Sequence, residues 1–342
     1  MTGPGPNLGV TLYSFTPEFH QHQHDLESLI NKVGELGMGP GLEIVGFQSI
    51  KNFPQVSDEF ADWFKALLDE NHLEQTCLDA NVDIGLRSDR LLTEDELVDY
   101  MEVQIAAAQK LGFPVVRMQY AASPALMVRL VPAAERANVK LGVEIHAPHS
   151  VNHPTVQRLR EAYEKADSPY LGFIPDFGAS TVRIPNVFLD GYRHRGVSDR
   201  TVDLVTKTWQ EARIQRRDPF EVRAELRDRV DALGGGDYDR ALAWHAFEYF
   251  GHQEAPAWIE IMPQVFHVHA KFFEIDANGN EPSVPYEELV NVFRENGYSG
   301  SLSSEYEGWQ WDENPHGMAD GFAMVEGHQK LVRSVLGHGV PA

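Results

Sequence analysis

Cysteine is nearly absent from this chain: Cys77 is the only one in 342 residues. No internal disulfide framework is therefore possible, and a lone thiol fits a reducing compartment. Basic residues are also scarce, with 29 Lys and Arg against 51 Asp and Glu and a formal charge of −22. Nucleic-acid binding normally rests on basic surface, so a phosphate-backbone partner is excluded on this ground. A soluble protein handling small neutral molecules or cations is expected instead. No apolar run approaches the roughly 20 residues that a membrane helix needs, so no membrane association is expected. Residues 1–7 carry neither a basic region nor an apolar stretch, and are expected to form a flexible tail and not a signal peptide. These absences together lead to the expectation of a cytoplasmic protein.

What the chain does have is 42% hydrophobic residues, enough for a sizeable core, arranged in a repeating rhythm. Short apolar runs at residues 8–13, 42–45, 75–80, 115–118, 140–145 and 171–175 read as strands. Between them lie helical patterns, such as Leu26, Leu29, Ile30 and Val33, closed by Gly37. Thr93 and Glu96 form a capping box that opens a helix stopped by Gly112. Short all-apolar strands alternating with helices indicate parallel strands buried on both faces. A seventh strand begins near Val265 and an eighth at Ser301, separated by a helix over 285–296 and followed by one over 317–336. Eight such units predict an α/β fold of the (β/α)8 TIM-barrel type, a single domain over residues 8–338. A doubly wound open sheet is the rival.

The rhythm breaks between residues 183 and 255. A barrel of this kind needs roughly 250 residues, so the surplus is expected to be a helical insertion after strand six. Residues 191–217 hold seven Lys and Arg against three Asp and Glu, a net of +4 in an otherwise acidic chain. Helical spacing recurs at 202–213 and 220–233, before three glycines at 234–236. Solvated surface decoration is one reading; a lid or partner-docking arm is the expectation, because the segment grows from the loop beside Asp176.

Four strand-like runs end in groups able to hold a metal: Glu144, Asp176, His269 and Glu305. Their spacings are 32, 93 and 36 residues, one repeat unit each apart from the unit carrying the insertion. A lone acid at a strand end is more often a cap or an ion-pair partner. Four on consecutive strands of a barrel converge on one point, whereas an open sheet would not gather them. Three carboxylates and one imidazole suit Mn²⁺, with Mg²⁺, Co²⁺ or Zn²⁺ as alternatives.

The motifs carrying these groups resemble the xylose isomerase-like TIM barrels. Gly142, Glu144 and His146 match that family's fifth-strand ligand pattern; His267, His269 and Lys271 match its seventh; Ser304 to Gly308 match its eighth. The resemblance implies one metal held by Glu144, Asp176, His269 and Glu305. It departs at Ala179, where many relatives carry a histidine, which counts against a multi-metal nuclease. Tyr13, Ser14 and Phe15, the stretch from His267 to Glu274, and the long insertion resemble bacterial C-glycoside deglycosidase alpha subunits.

That resemblance implies proton abstraction beside a sugar carbonyl, with cleavage of the carbon–carbon bond of a 3-keto C-glycoside. A small β-rich beta subunit and an oligomeric assembly are implied with it. A keto-sugar isomerase or epimerase working alone is the alternative. Glu144 and Glu305 are expected as acid and base, alongside His146, whose ionisation range suits proton transfer near neutrality. His146 equally fits a histidine that only orients Glu144. Lys271 is expected to hold a developing oxyanion, or else to pair with Glu43 or Asp79 as structure. His149, Arg117, Trp309 and Trp311 are the expected substrate-binding groups, the tryptophans as stacking faces or as core plugs. His20, His22 and His24 read as a solvated loop at the rim of the site.

Overall fold

The computed structural model describes residues 5–119, 121–312 and 319–337. The chain runs β1 (Asn7–Thr11), α1 (Thr16–His20), α2 (Leu26–Glu35), β2 (Gly41–Val45), α3 (Gly46–Ser49), α4 (Asp58–Glu70), β3 (Glu74–Asp79) and α5 (Glu94–Leu111). It continues through β4 (Val115–Met118), α6 (Pro124–Ala137), β5 (Lys140–Ile145), α7 (Pro154–Ala166) and β6 (Leu171–Pro175). Four helices follow without a strand: α8 (Asn186–His194), α9 (Asp199–Ile214), α10 (Pro219–Ala232) and α11 (Asp237–Tyr249). The last elements are β7 (Val268–Phe272), α12 (Tyr286–Glu295), β8 (Ser301–Tyr306) and α13 (Gly321–Leu336).

All strand pairs are parallel and run in the order β6, β5, β4, β3, β2, β1, β8, β7. Isolated bridges from Phe173 to Val265 and from Asp176 to His269 join β6 to β7, so the sheet curls into a TIM barrel. Side chains alternate along each strand. Along β7, Phe272 faces the helices, stacked on His328 of α13, while His269 and Lys271, and His267 just before the strand, meet the acids at the barrel axis. Gly9 and Gly41 make room at the bottom of the axis, where a Cβ on Gly41 would lie 2.8 Å from Ser301 Oγ.

The capping box of α5 is present, with Thr93 Oγ1 accepting from Glu96 N, and Gly112 ends the helix at φ 91°. Several boundaries differ from the sequence reading. β1 takes in Asn7, expected as tail, because it pairs with Ser301, and it stops at Thr11 where Leu12–Phe15 form a 3-10 helix. β7 starts at Val268, because residues 255–264 form a 3-10 helix that leaves Val265 only its bridge to Phe173. The final helix starts at Gly321, and part of the expected segment before it lies outside the described residues.

Much of the basic run at 191–217 is paired. Arg193 pairs with Asp190 and Asp199, Arg216 with Glu254 and Arg217 with Glu225, while Arg213 Nε donates to Thr181 O. Sequence proximity grouped the cations, but folding brings acids from the next helices to them. Each exposed pair adds little stability, and their effect is local neutrality.

Helices α8 to α11 share the barrel's core. Trp209 Nε1 donates to Phe250 O at 3.2 Å, and Trp258 Nε1 to Ser180 Oγ at 3.0 Å. Trp311, expected as a substrate-stacking face, is 5% exposed and wedged among Phe188, Phe250, Phe273 and Tyr249. It plugs the joint between the barrel and the added helices, the core role that its position in sequence left open. Trp311→Ala is therefore expected to cost about 3–5 kcal/mol by urea unfolding, as for a large buried aromatic. A loss below about 1 kcal/mol would show that this joint contributes little to the fold.

Candidate active site

The C-terminal strand ends open onto a cavity of about 630 Å³. A larger hollow of about 970 Å³ lies on the flank against α12 and α13, lined by none of the four expected ligands. The strand-end cavity carries the chemistry: Arg117, Glu144, His146, Lys271, Glu305 and Glu307 line it. Tyr13, Phe47 and Trp309 also line it.

Three of the four expected ligands converge. Ligand atoms of Glu144, His269 and Glu305 all lie within 4.8 Å of one another, and all three residues are buried. His269 Nδ1 is 2.7 Å from Glu144 Oε1 and 3.5 Å from Glu305 Oε2. Glu305 Oε2 is buried and accepts no aligned hydrogen bond. Asp176 stands apart from this trio: its Oδ2 lies 2.8 Å from Lys271 Nζ and 3.5 Å from His146 Nε2, and its Oδ1 accepts from Gly178 N. It remains next to His269 through the bridge that joins β6 to β7.

Lys271 pairs with neither Glu43 nor Asp79. Its ammonium, 1% exposed, sits among Asp176 at 2.8 Å, Glu307 at 3.2 Å and Glu305 at 3.7 Å. Arg117 reaches the cavity edge, yet its Nε lies 3.5 Å from both Asp79 Oδ1 and Glu144 Oε2. It braces Glu144 as much as it faces a ligand. His149 does not line the cavity; its ring packs 4.4 Å from that of His153 and 6.1 Å from Phe220 of α10. Trp309 does line it, edge-on to Tyr13 at 5.5 Å, and His20 stands at its rim as expected.

Sequence reasoning missed Glu43 as a part of the site. Each of its carboxylate oxygens meets one histidine at 2.8 Å, Oε1 with His269 Nε2 and Oε2 with His267 Nε2. This fixes His269 with Nδ1 turned toward Glu144 and Glu305, the carboxylate–imidazole pairing that commonly orients a metal ligand. A charge in the middle of the otherwise apolar, wholly buried β2 was the available signal. Glu307 was missed because it follows the strand; Gly308 turns the chain there, and a Cβ on it would collide with Phe273 O.

The electrostatics separate the two glutamates of the trio. Burial works against the charge on Glu144, but Arg117 and His269 hold its carboxyl well below the usual range. Burial pushes Glu305 well above that range, with only partial relief from Lys271 and His269. Two carboxyl groups whose proton affinities diverge suit opposite roles in proton transfer. His146 Nδ1 lies 2.6 Å from Ala147 O, which can only accept. Nδ1–H therefore donates to that carbonyl, and Nε2 is turned into the site, 3.5 Å from Asp176 Oδ2.

Comparison with known proteins adds the following. A family model described as xylose isomerase-like TIM barrel matches residues 41–188. The 3′-dehydrocarminate deglycosidase alpha subunit of a Microbacterium species is 45% identical over 340 residues, covering 97% of this chain and 96% of that protein. A C-glycoside deglycosidase alpha subunit of Arthrobacter globiformis is 44% identical over 343 residues, covering 98% and 92%. Among solved structures, a D-psicose 3-epimerase crystallised with D-fructose covers 97% of this chain and all of its own, with TM-score 0.57 at 11% identity. That last likeness is one of fold.

Lys271 is the one cation shared by three buried carboxylates. Replacing it with methionine removes the charge and keeps much of the volume. Lys271→Met in metal-free protein is expected to lose about 3–5 kcal/mol in equilibrium urea unfolding at neutral pH. A loss under about 1 kcal/mol would mean that the carboxylates take up protons and tolerate its absence.

Proposed function

The chain belongs to the C-glycoside deglycosidase alpha subunits of the xylose isomerase-like TIM barrels, and from that membership we propose a metal-dependent lyase that cleaves 3-keto C-glycosides between sugar and aglycone. The observation that carries the metal is the convergence of Glu144, His269 and Glu305 around a buried Glu305 oxygen that no donor satisfies. Asp176 is the proposed fourth ligand, exchanging its contact with Lys271 for the ion. Three hard oxygens and one imidazole favour Mn²⁺. When bound, a divalent ion polarises the sugar's ketone and makes the neighbouring C–H acidic.

The chain's own residues supply the rest. His146 presents Nε2 as the base that takes the C2 proton, its ring held by the Nδ1–H bond to Ala147 O. Glu43 keeps His269 turned to the site, and Arg117 keeps Glu144 ionised. Lys271 stays charged because Asp176, Glu305 and Glu307 outweigh the cost of its burial, and it offers a fixed cation for negative charge that develops on a sugar oxygen. The electron pair from C2–H becomes the new C1–C2 double bond, and the bond from C1 to the aglycone breaks.

The relatives' designation as alpha subunits supports a companion subunit here; a small, β-rich partner and an oligomeric assembly are part of the proposal. Helices α8 to α11, within residues 183–255, are the proposed docking arm. A lid is the weaker reading, because no lining residue of the cavity among those described comes from them. The arm also exposes Ile214, Tyr238 and Trp244. No helix among the described residues is long and apolar enough to cross a membrane.

Elemental analysis of purified protein is expected to give one divalent ion per chain, and Glu305→Ala to lose most of it; an unchanged content in the variant would remove Glu305 from the ligand set. The reaction itself is tested by chromatography of the metal-loaded complex with a 3-keto C-glucoside and its unoxidised parent. The ketone is expected to yield free aglycone and a dehydrated keto sugar, and the parent to stay intact, since its C2 proton is not acidic. Epimerisation of a free ketose with cleavage of neither glycoside would make the chain a keto-sugar epimerase instead.

A further inference from the structure

Cleavage leaves an electron pair on the aglycone carbon, which must receive a proton from somewhere in the cavity. His146 holds the proton taken from C2 and sits at the end of β5. In a closed eight-stranded barrel β1 stands directly across from β5, and the sheet order places β2 and β8 on either side of β1. The wall opposite His146 is therefore the aromatic one: Tyr13 after β1, Phe47 after β2 and Trp309 after β8. A sugar ring held over Glu144 and Glu305 with C2 toward His146 sends its aglycone to that wall.

Tyr13 presents a phenolic hydroxyl there. Gln310 Nε2 lies 2.9 Å from Glu307 Oε1 and 2.9 Å from Tyr13 Oη. The Glu307 carboxylate, paired with Lys271, only accepts, so the amide face turned to it is the N–H face. Tyr13 Oη consequently accepts from Gln310, and this bond does not use the phenol's own proton. The residue is also held still: its N–H bonds to Thr11 Oγ1, its carbonyl accepts from Thr16 Oγ1 at 2.7 Å, and its ring meets Trp309 edge-on. Burial, and next the Glu307 carboxylate, push the phenol's ionisation far above neutrality, so it carries its proton at working pH.

We propose that Tyr13 is the catalytic acid that protonates the departing aglycone carbon, with Trp309 and Phe47 as the faces that position a flat aromatic aglycone. This rests on the lyase reading above. The step balances without an oxidant or reductant. His146 Nε2 takes the C2 proton, the C1–C2 double bond forms, and the pair of the broken C1–aglycone bond takes the Tyr13 Oη proton. The phenolate then regains a proton from solvent, and His146 releases one.

The test follows two events in one sample: the metal-loaded complex in D₂O with 3′-dehydrocarminate, scoring deuterium at C2 of remaining substrate and free aglycone released. Tyr13→Phe keeps the ring against Trp309 and removes only the hydroxyl. It is expected to slow cleavage by about 10²-fold or more while C2 exchange continues, returning deuterated substrate. Trp309→Phe, which leaves the phenol, is expected to weaken substrate binding with the ratio of cleavage to exchange unchanged. Cleavage by Tyr13→Phe within about threefold of wild type overturns the assignment. So does loss of exchange and cleavage together in a variant that melts normally and holds its metal. A wild-type complex that does neither reaction removes the lyase reading, and this one with it.

Discussion

Six carboxylates crowd the axis of this barrel near its C-terminal end: Glu43, Asp79, Glu144, Asp176, Glu305 and Glu307, all nearly or wholly buried. Against them, among the described residues, stand Arg117, Lys271 and the histidines of β7. Unpaired charge is expensive in such a place, so Lys271, Arg117 and His269 each serve more than one acid. Lys271 touches three carboxylates, Arg117 two, and His269 lies between Glu43, Glu144 and Glu305. Where sharing fails, protons compensate: burial holds Asp79 and Glu305 well above the ordinary carboxyl range. A divalent cation among the strand ends would relieve the same imbalance with two positive charges.

Period and punctuation made the barrel legible from sequence. Short apolar runs separated by capped helices leave few other topologies, and the strand-end acids fell where the strands stopped. The missing parts failed for a consistent reason. Glu43 lies mid-strand and Glu307 lies past a strand end, so neither had the position that marked Glu144 or Glu305. Their partners are distant in sequence, with 224 residues between Glu43 and His267. Trp309 and Trp311 looked equivalent, two residues apart on one loop. A single 3-10 turn over Gly308–Gln310 sends the first to the cavity and the second into the core.

The same blindness to distance shaped the reading of the arm. A run of seven basic residues stands out as a net charge of +4 when acids that meet it lie beyond the window. Folded, Arg216 meets Glu254 and Arg217 meets Glu225, and Ile214, Tyr238 and Trp244 are exposed among the charged side chains. Recognition through those three would depend on shape and dehydration more than on steering by charge.

Seven of the eight strand junctions are continuous ladders; the eighth, between β6 and β7, has only two isolated bridges, one of them at Asp176 and His269. An ion gripped by those two side chains would act as a clasp across the barrel's thinnest seam, at the point where the backbone provides least. Closure of the cylinder and occupancy of the site would then be a single equilibrium. Slow amide hydrogen exchange in β6 and β7 would report on the chemistry above them as directly as turnover does.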